Sequence, residues 1–82
     1  NPDYAPAWAN LGYIMLLNGD AHRALGYIEK ALALDPDYLQ ARFNKAAAFS
    51  AIGNFDELKN ELHLILQIDP ENQRAKQALS QL

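Results

Sequence analysis

The chain has 82 residues, half of them apolar, no cysteine and a formal charge of −3. That length makes one small domain with a thin core, and the missing cysteines exclude disulfides and thiolate chemistry. The mild acidity argues against a nucleic-acid partner, which needs a clustered basic face to displace counterions from phosphates.

In chain order, the first element is a turn, Asn1-Pro2-Asp3-Tyr4, expected to end a preceding repeat. A helix is predicted over about 5–18, where Trp8, Leu11, Met15 and Asn18 step along one face with Ile14 beside them. Gly19 falls where the reversal needs positive φ, and Asp20 follows as an N-cap. A second helix over about 21–34 carries Ala24, Leu25, Ile28, Ala31 and Leu32 on one face. Asp35-Pro36 stops it, because proline disfavours the helical region in the residue before it.

A third helix is predicted over about 39–52, with Phe43, Ala47 and Phe49, and a fourth over about 55–68, with Leu58, Leu62, Ile65 and Leu66. Gly53 repeats the reversal, and Asn54 with Glu57 makes the pattern of a capping box. After Asp69-Pro70 a last helix runs from about 73 to the end. Ala75, Ala78, Leu79 and Leu82 share one of its faces. Arg74, Lys76, Gln77, Ser80 and Gln81 cover the rest, the polar outer side a terminal unit needs. Gly12 and Ala46, facing Ala24 and Leu58, are expected to let paired helices approach closely. Gly26 sits inside a helix at a cost of about 1 kcal/mol against Ala, with close packing as the expected reason.

Pro2, Pro36 and Pro70 are 34 residues apart. The same shift brings Asp3 onto Asp37, Tyr4 onto Tyr38, Ala7 onto Ala41, Asn10 onto Asn44, Gly19 onto Gly53 and Leu32 onto Leu66. These matches gather at turns and small packing positions, as in an array of stacked helical hairpins.

Trp8, Leu11-Gly12, Ala24, Ala31 and Pro36, and again Ala46, Phe49 and Pro70, resemble the tetratricopeptide repeat (TPR). Met15 and Ile28 stand in for an aromatic and a Phe. The second repeat departs at Arg42 for Trp, Lys45 for Leu, Leu58 for Ala, Leu62 for Phe and Ile65 for Ala. The resemblance implies an all-α fold, an α-solenoid of two helix-turn-helix repeats plus a C-terminal capping helix in a right-handed superhelical array. Its divisions are 1–4 (end of a preceding repeat), 5–38, 39–72 and 73–82 (cap).

In the family the first helix of each repeat lines a concave groove that holds extended peptides or partner helices. Carried over, this implies Pro6, Ala9, Asn10, Tyr13, Leu16 and Leu17, then Gln40, Phe43, Asn44, Ala47 and Ser50, then Arg74, Gln77 and Gln81. An amide side chain both donates and accepts, so Asn10 and Asn44, at one phase, are expected to meet a peptide backbone one repeat apart. Members that clamp a C-terminal carboxylate use Lys and Asn, then Asn, then Lys and Arg on successive first helices. Here Ala9 and Tyr13 hold the first positions, Asn44 the middle one, Arg74 the place of a Lys, and Ala78 that of an Arg. One basic group instead of three argues against that clamp.

The expected function is a non-enzymatic scaffold whose partner is a protein or peptide. The alternative is self-association: arrays usually need about three repeats, and Ala7, Leu11 and Ile14 are expected to form an uncovered edge that meets a second chain. Catalysis has little support. His22 and His63 lie on different helices without HExxH spacing, and Glu61 and His63, two apart, point to different sides. Asp56, Glu57 and Glu61 are read as dipole-favoured charges at a helix start. No cofactor or metal is expected, and no membrane partner, since no stretch approaches about 20 apolar residues. The compartment is not legible, and the opening at Asn1 reads as a segment of a longer protein.

Overall fold

Five α-helices and no strand make up the described residues, 3–82, of the computed structural model: α1 (Ala5–Leu17), α2 (Ala21–Leu34), α3 (Leu39–Ala51), α4 (Phe55–Ile68) and α5 (Gln73–Ser80). Asn1 and Pro2, the latter the first proline of the series, lie outside the described residues. The helices start and stop where the punctuation does. Gly19 and Gly53 have φ of +80° and +78°, a region open to glycine at no steric cost. At the first reversal Gly19 N–H bonds to the Leu16 carbonyl (3.0 Å) and Asp20 N–H to the Met15 carbonyl (2.9 Å). At the second, Gly53 N–H bonds to Ser50 (3.1 Å) and Asn54 N–H to Phe49 (2.9 Å). Both are Schellman closures, which satisfy the carbonyls a helix end leaves open.

The next helix begins at once. Asp20 Oδ1 accepts from Arg23 N–H at 3.1 Å and Asn54 Oδ1 from Glu57 N–H at 3.3 Å. The capping box is only half made. Asn54 N–H is taken by Phe49, and Glu57 Oε1 accepts from the Asn60 amide at 3.5 Å. A two-residue reversal has already satisfied the donor that Glu57 would have served.

Successive helices pack in order, α1 on α2, α2 on α3, α3 on α4 and α4 on α5, and α1 also lies directly against α3. No such close backbone approach joins α3 to α5. One buried cluster, rich in alanine, holds Ala5, Ala9, Ala24, Ile28, Ala31, Leu32, Ala41 and Ala48. The other holds Phe43, Ala46, Leu58, Leu62, Ile65 and Ala75. The larger residues of α4 are accommodated because small ones face them from α3 and α5.

Two sequence expectations change here. The face read through Trp8, Leu11, Met15 and Asn18 is not the buried one: Leu11, as expected of the uncovered edge, is 40% exposed, and the buried face of α1 is Ala5, Ala9 and Gly12. Apolar spacing selects a face only when polar residues mark the other. α1 has no charged residue, so its spacing could not choose. Gly26, for its part, is exposed, and a Cβ there would meet nothing within 4 Å. Close packing is not its reason. Gly26→Ala is therefore expected to stabilise the fold by about 0.5–1 kcal/mol, read as a higher urea midpoint at unchanged slope.

Candidate partner-binding groove

The first helices are adjacent, so their exposed faces run together. Along this surface Asn10 and Tyr13 of α1, Gln40 and Asn44 of α3 and Arg74 of α5 line one open depression of about 330 Å³. Asn10 and Tyr13 are exposed, Tyr13 by half. Leu17 (68% exposed), Ala47 and Gln77 also face solvent. Ala9, included among the implied groove residues, is fully buried, and only its carbonyl contributes.

The two asparagines were expected to present alike, and they do not. Asn10 is exposed, whereas Asn44 is 4% exposed. Asn44 Nδ2 donates to the Ala9 carbonyl at 3.3 Å, and its Oδ1 accepts from Gln40 Nε2 at 2.9 Å. The cause is the helix beside it. α3 has α1 against this position, so the amide ties the two first helices together and orients Gln40. A buried amide left unpaired would cost about 1–3 kcal/mol, so this tie is not free to move.

Phe43 is likewise buried, at 9% exposure. The Arg74 guanidinium lies 4.1 Å from its ring centroid, a cation–π stack. Phe43, Ala46, Ala47, Ser50, Leu58 and Leu62, with Arg74, Ala78, Gln81 and Leu82, enclose a second, mostly apolar depression of about 340 Å³. It occupies the gap where α5 does not close on α3.

At the N-terminal edge Ala7, Leu11 and Ile14 are all exposed. Their α3 counterparts Ala41 and Ala48 are fully buried, because α2 covers that face of α3.

One cluster was not anticipated. Glu61, 3% exposed, is buried between two cations. Its Oε1 lies 3.2 Å from Arg42 Nη1 and its Oε2 3.5 Å from Lys45 Nζ. Lys45 also reaches Glu29 Oε1 at 2.7 Å, and Arg42 Nε donates to the Pro36 carbonyl at 3.1 Å. Glu61 is thus a core charge rather than a dipole-favoured one; Asp56 and Glu57 alone occupy the first turn of α4. The signal was present in the departures from the family pattern. Arg42 and Lys45 replace an aromatic and a leucine together, which marks a charged position in the packing without naming the carboxylate that meets it. His22 and His63 are exposed, and no group of His, Asp and Glu among the described residues could hold a metal. No helix among them is long and apolar enough to cross a membrane.

The model of the tetratricopeptide repeat family matches residues 15–82. The chain belongs to that family. Relatives carry a similar segment within longer proteins. A human "FK506-binding protein-like" is 30% identical over 99% of this chain, which spans 23% of that protein. "Uncharacterized protein ycf37" of Cyanophora paradoxa is 38% identical over 87% of the chain and 41% of its own length. The "TPR repeat-containing thioredoxin TTL4" of Arabidopsis thaliana is 34% identical over 87% of the chain and 10% of its own length. The TPR chain therefore covers less than half of each of these. TPR modules are in general protein-interaction units, and these matches fit one that is used within different architectures.

Proposed function

We propose that this TPR segment is a non-enzymatic protein-interaction module whose concave groove holds a peptide or an extended partner segment. The reading covers Asn10, Tyr13, Leu17, Gln40, Phe43, Asn44, Ala47, Arg74 and Gln77. One observation supports it above the rest. Side chains from three helices, far apart in sequence, converge on a single open depression with amides, a phenol and a guanidinium along its wall. Asn10 and Tyr13 are the direct contacts; Asn44 acts through Gln40. Tyr13→Ala with Asn10→Ala is expected to weaken a phage-selected peptide ligand about tenfold, since exposed aromatics dominate such interfaces. Unchanged affinity by titration calorimetry, with circular dichroism intact, would refute the groove assignment.

A second reading is self-association through Ala7, Leu11 and Ile14. It is favoured by the exposure of Leu11 and Ile14, at 40% and 47%, on a helix without charge. Leu11→Glu should then return a concentration-dependent mass in light scattering to the monomer value. A monomer at all concentrations before mutation would dismiss it.

A further inference from the structure

We propose that the partner segment presents an acidic side chain next to an aliphatic one, the acid meeting Arg74 and the aliphatic group entering the depression between α3, α4 and α5. This rests on the groove reading above.

Charge supports the acid. Arg23 and Arg42 are paired with carboxylates, and Lys45 and Lys76 likewise, while Lys30 and Lys59, also without a carboxylate partner among the described residues, line neither depression. Arg74 has no ion pair among the described residues; its guanidinium carbon lies over the buried Phe43 ring, 4.1 Å from the centroid. Stacking of that kind occupies a face of the guanidinium and leaves its edge N–H groups, the fork that fits a carboxylate. No other side chain lining either depression is charged. In a chain of net charge −3, the one charge that the lining side chains bring is positive.

The aliphatic neighbour follows from what lies beside Arg74. The two depressions succeed one another along α3. Gln40 and Asn44 line the first, Ala46, Ala47 and Ser50 the second, and Arg74 lines both. The first is walled by amides and the phenol of Tyr13. The second is walled chiefly by Phe43, Ala46, Leu58, Leu62, Ala78 and Leu82. A segment crossing Arg74 thus leaves a polar stretch and enters an apolar one. It continues on both sides of the guanidinium, which fits an internal acidic residue rather than a chain end.

The test uses capped Ser/Gly octapeptides carrying Glu-Leu or Leu-Glu at the centre, titrated into the isotope-labelled 82-residue chain and followed by the Arg74 Nε–H signal. Controls replace Glu by Gln or Leu by Ala, and one Ser/Gly octapeptide ends in a free carboxylate. The better of the two central orders is expected to bind about fivefold tighter than its Gln control, the scale of one partly screened charge pair. Arg74→Gln should erase that preference. Ser50→Leu, at an exposed site on the wall of the second depression, should erase the preference for Leu over Ala and keep the one for Glu. If Asn10 and Tyr13 signals shift but Glu and Gln bind equally, the acidic partner is refuted and the groove stands. If no peptide shifts any groove signal, both fall. Equal binding of the free-carboxylate peptide would overturn the internal position.

Discussion

Glu61→Ala is expected to cost the fold about 3 kcal/mol, on the order of 15 °C in Tm for a domain this small. The Glu61 side chain is 4% exposed and its carboxylate lies between Arg42 and Lys45, whose side chains are each 17% exposed. Removing it leaves two cations partly out of water without their shared counter-charge, and such half-broken pairs cost about 3–5 kcal/mol. The lower end applies here because both cations keep a second partner. Lys45 retains Glu29 and Arg42 retains the Pro36 carbonyl.

The same physics makes a second outcome in the opposite direction. An ion cluster recovers its desolvation cost only with good geometry, and well-packed apolar replacements of similar volume are often neutral or stabilising by about 1–4 kcal/mol. The combined variant Arg42→Met, Lys45→Leu, Glu61→Leu should therefore be at least as stable as the parent, while Glu61→Ala alone is not. Urea unfolding followed at 222 nm reads both. A neutral Glu61→Ala would mean that the carboxylate contributes nothing net. A triple variant less stable than Glu61→Ala would mean that the cluster has no apolar equivalent.

That contrast marks where the sequence could be read and where it could not. Helix limits were legible because they are set locally. Gly19 and Gly53 supply a backbone geometry, Asp20 and Asn54 supply a cap, and Asp35-Pro36 and Asp69-Pro70 stop a helix. What lies beside a residue is not local. Asn10 and Asn44 have one phase in a 34-residue step, yet one is exposed and the other buried, since only α3 has a first helix packed over that position. Glu61 and Arg42 are 19 residues apart, so neither one's neighbours in the chain reveal the pair. The gap between α3 and α5 depends on how α5 seats on α4, and spacing carries no measure of that.

Gly12→Ala is expected to destabilise by about 2 kcal/mol, against the usual direction for glycine inside a helix. Propensity alone would reward the change by about 1 kcal/mol, as it should at Gly26. At Gly12 a built Cβ falls 2.6 Å from Ile28 Cγ1 and 3.3 Å from the Ala24 carbonyl oxygen. Neither neighbour can yield cheaply. The Ala24 oxygen belongs to the backbone of α2, and Ile28 is fully buried with its side chain fixed by the alanine-rich cluster. One extra carbon then forces α1 away from α2, and overpacking of this kind costs about 1–3 kcal/mol. The groove inherits the damage, because Ala9, one turn before Gly12, supplies the carbonyl that holds Asn44. A double-mutant cycle isolates the cause. Ile28→Ala alone should cost about 3 kcal/mol through the cavity it leaves. Combined with Gly12→Ala it should cost at least about 1 kcal/mol less than the two added, since it deletes the carbon that the new methyl meets. Strict additivity would show that Gly12 is retained for some reason other than its approach to Ile28.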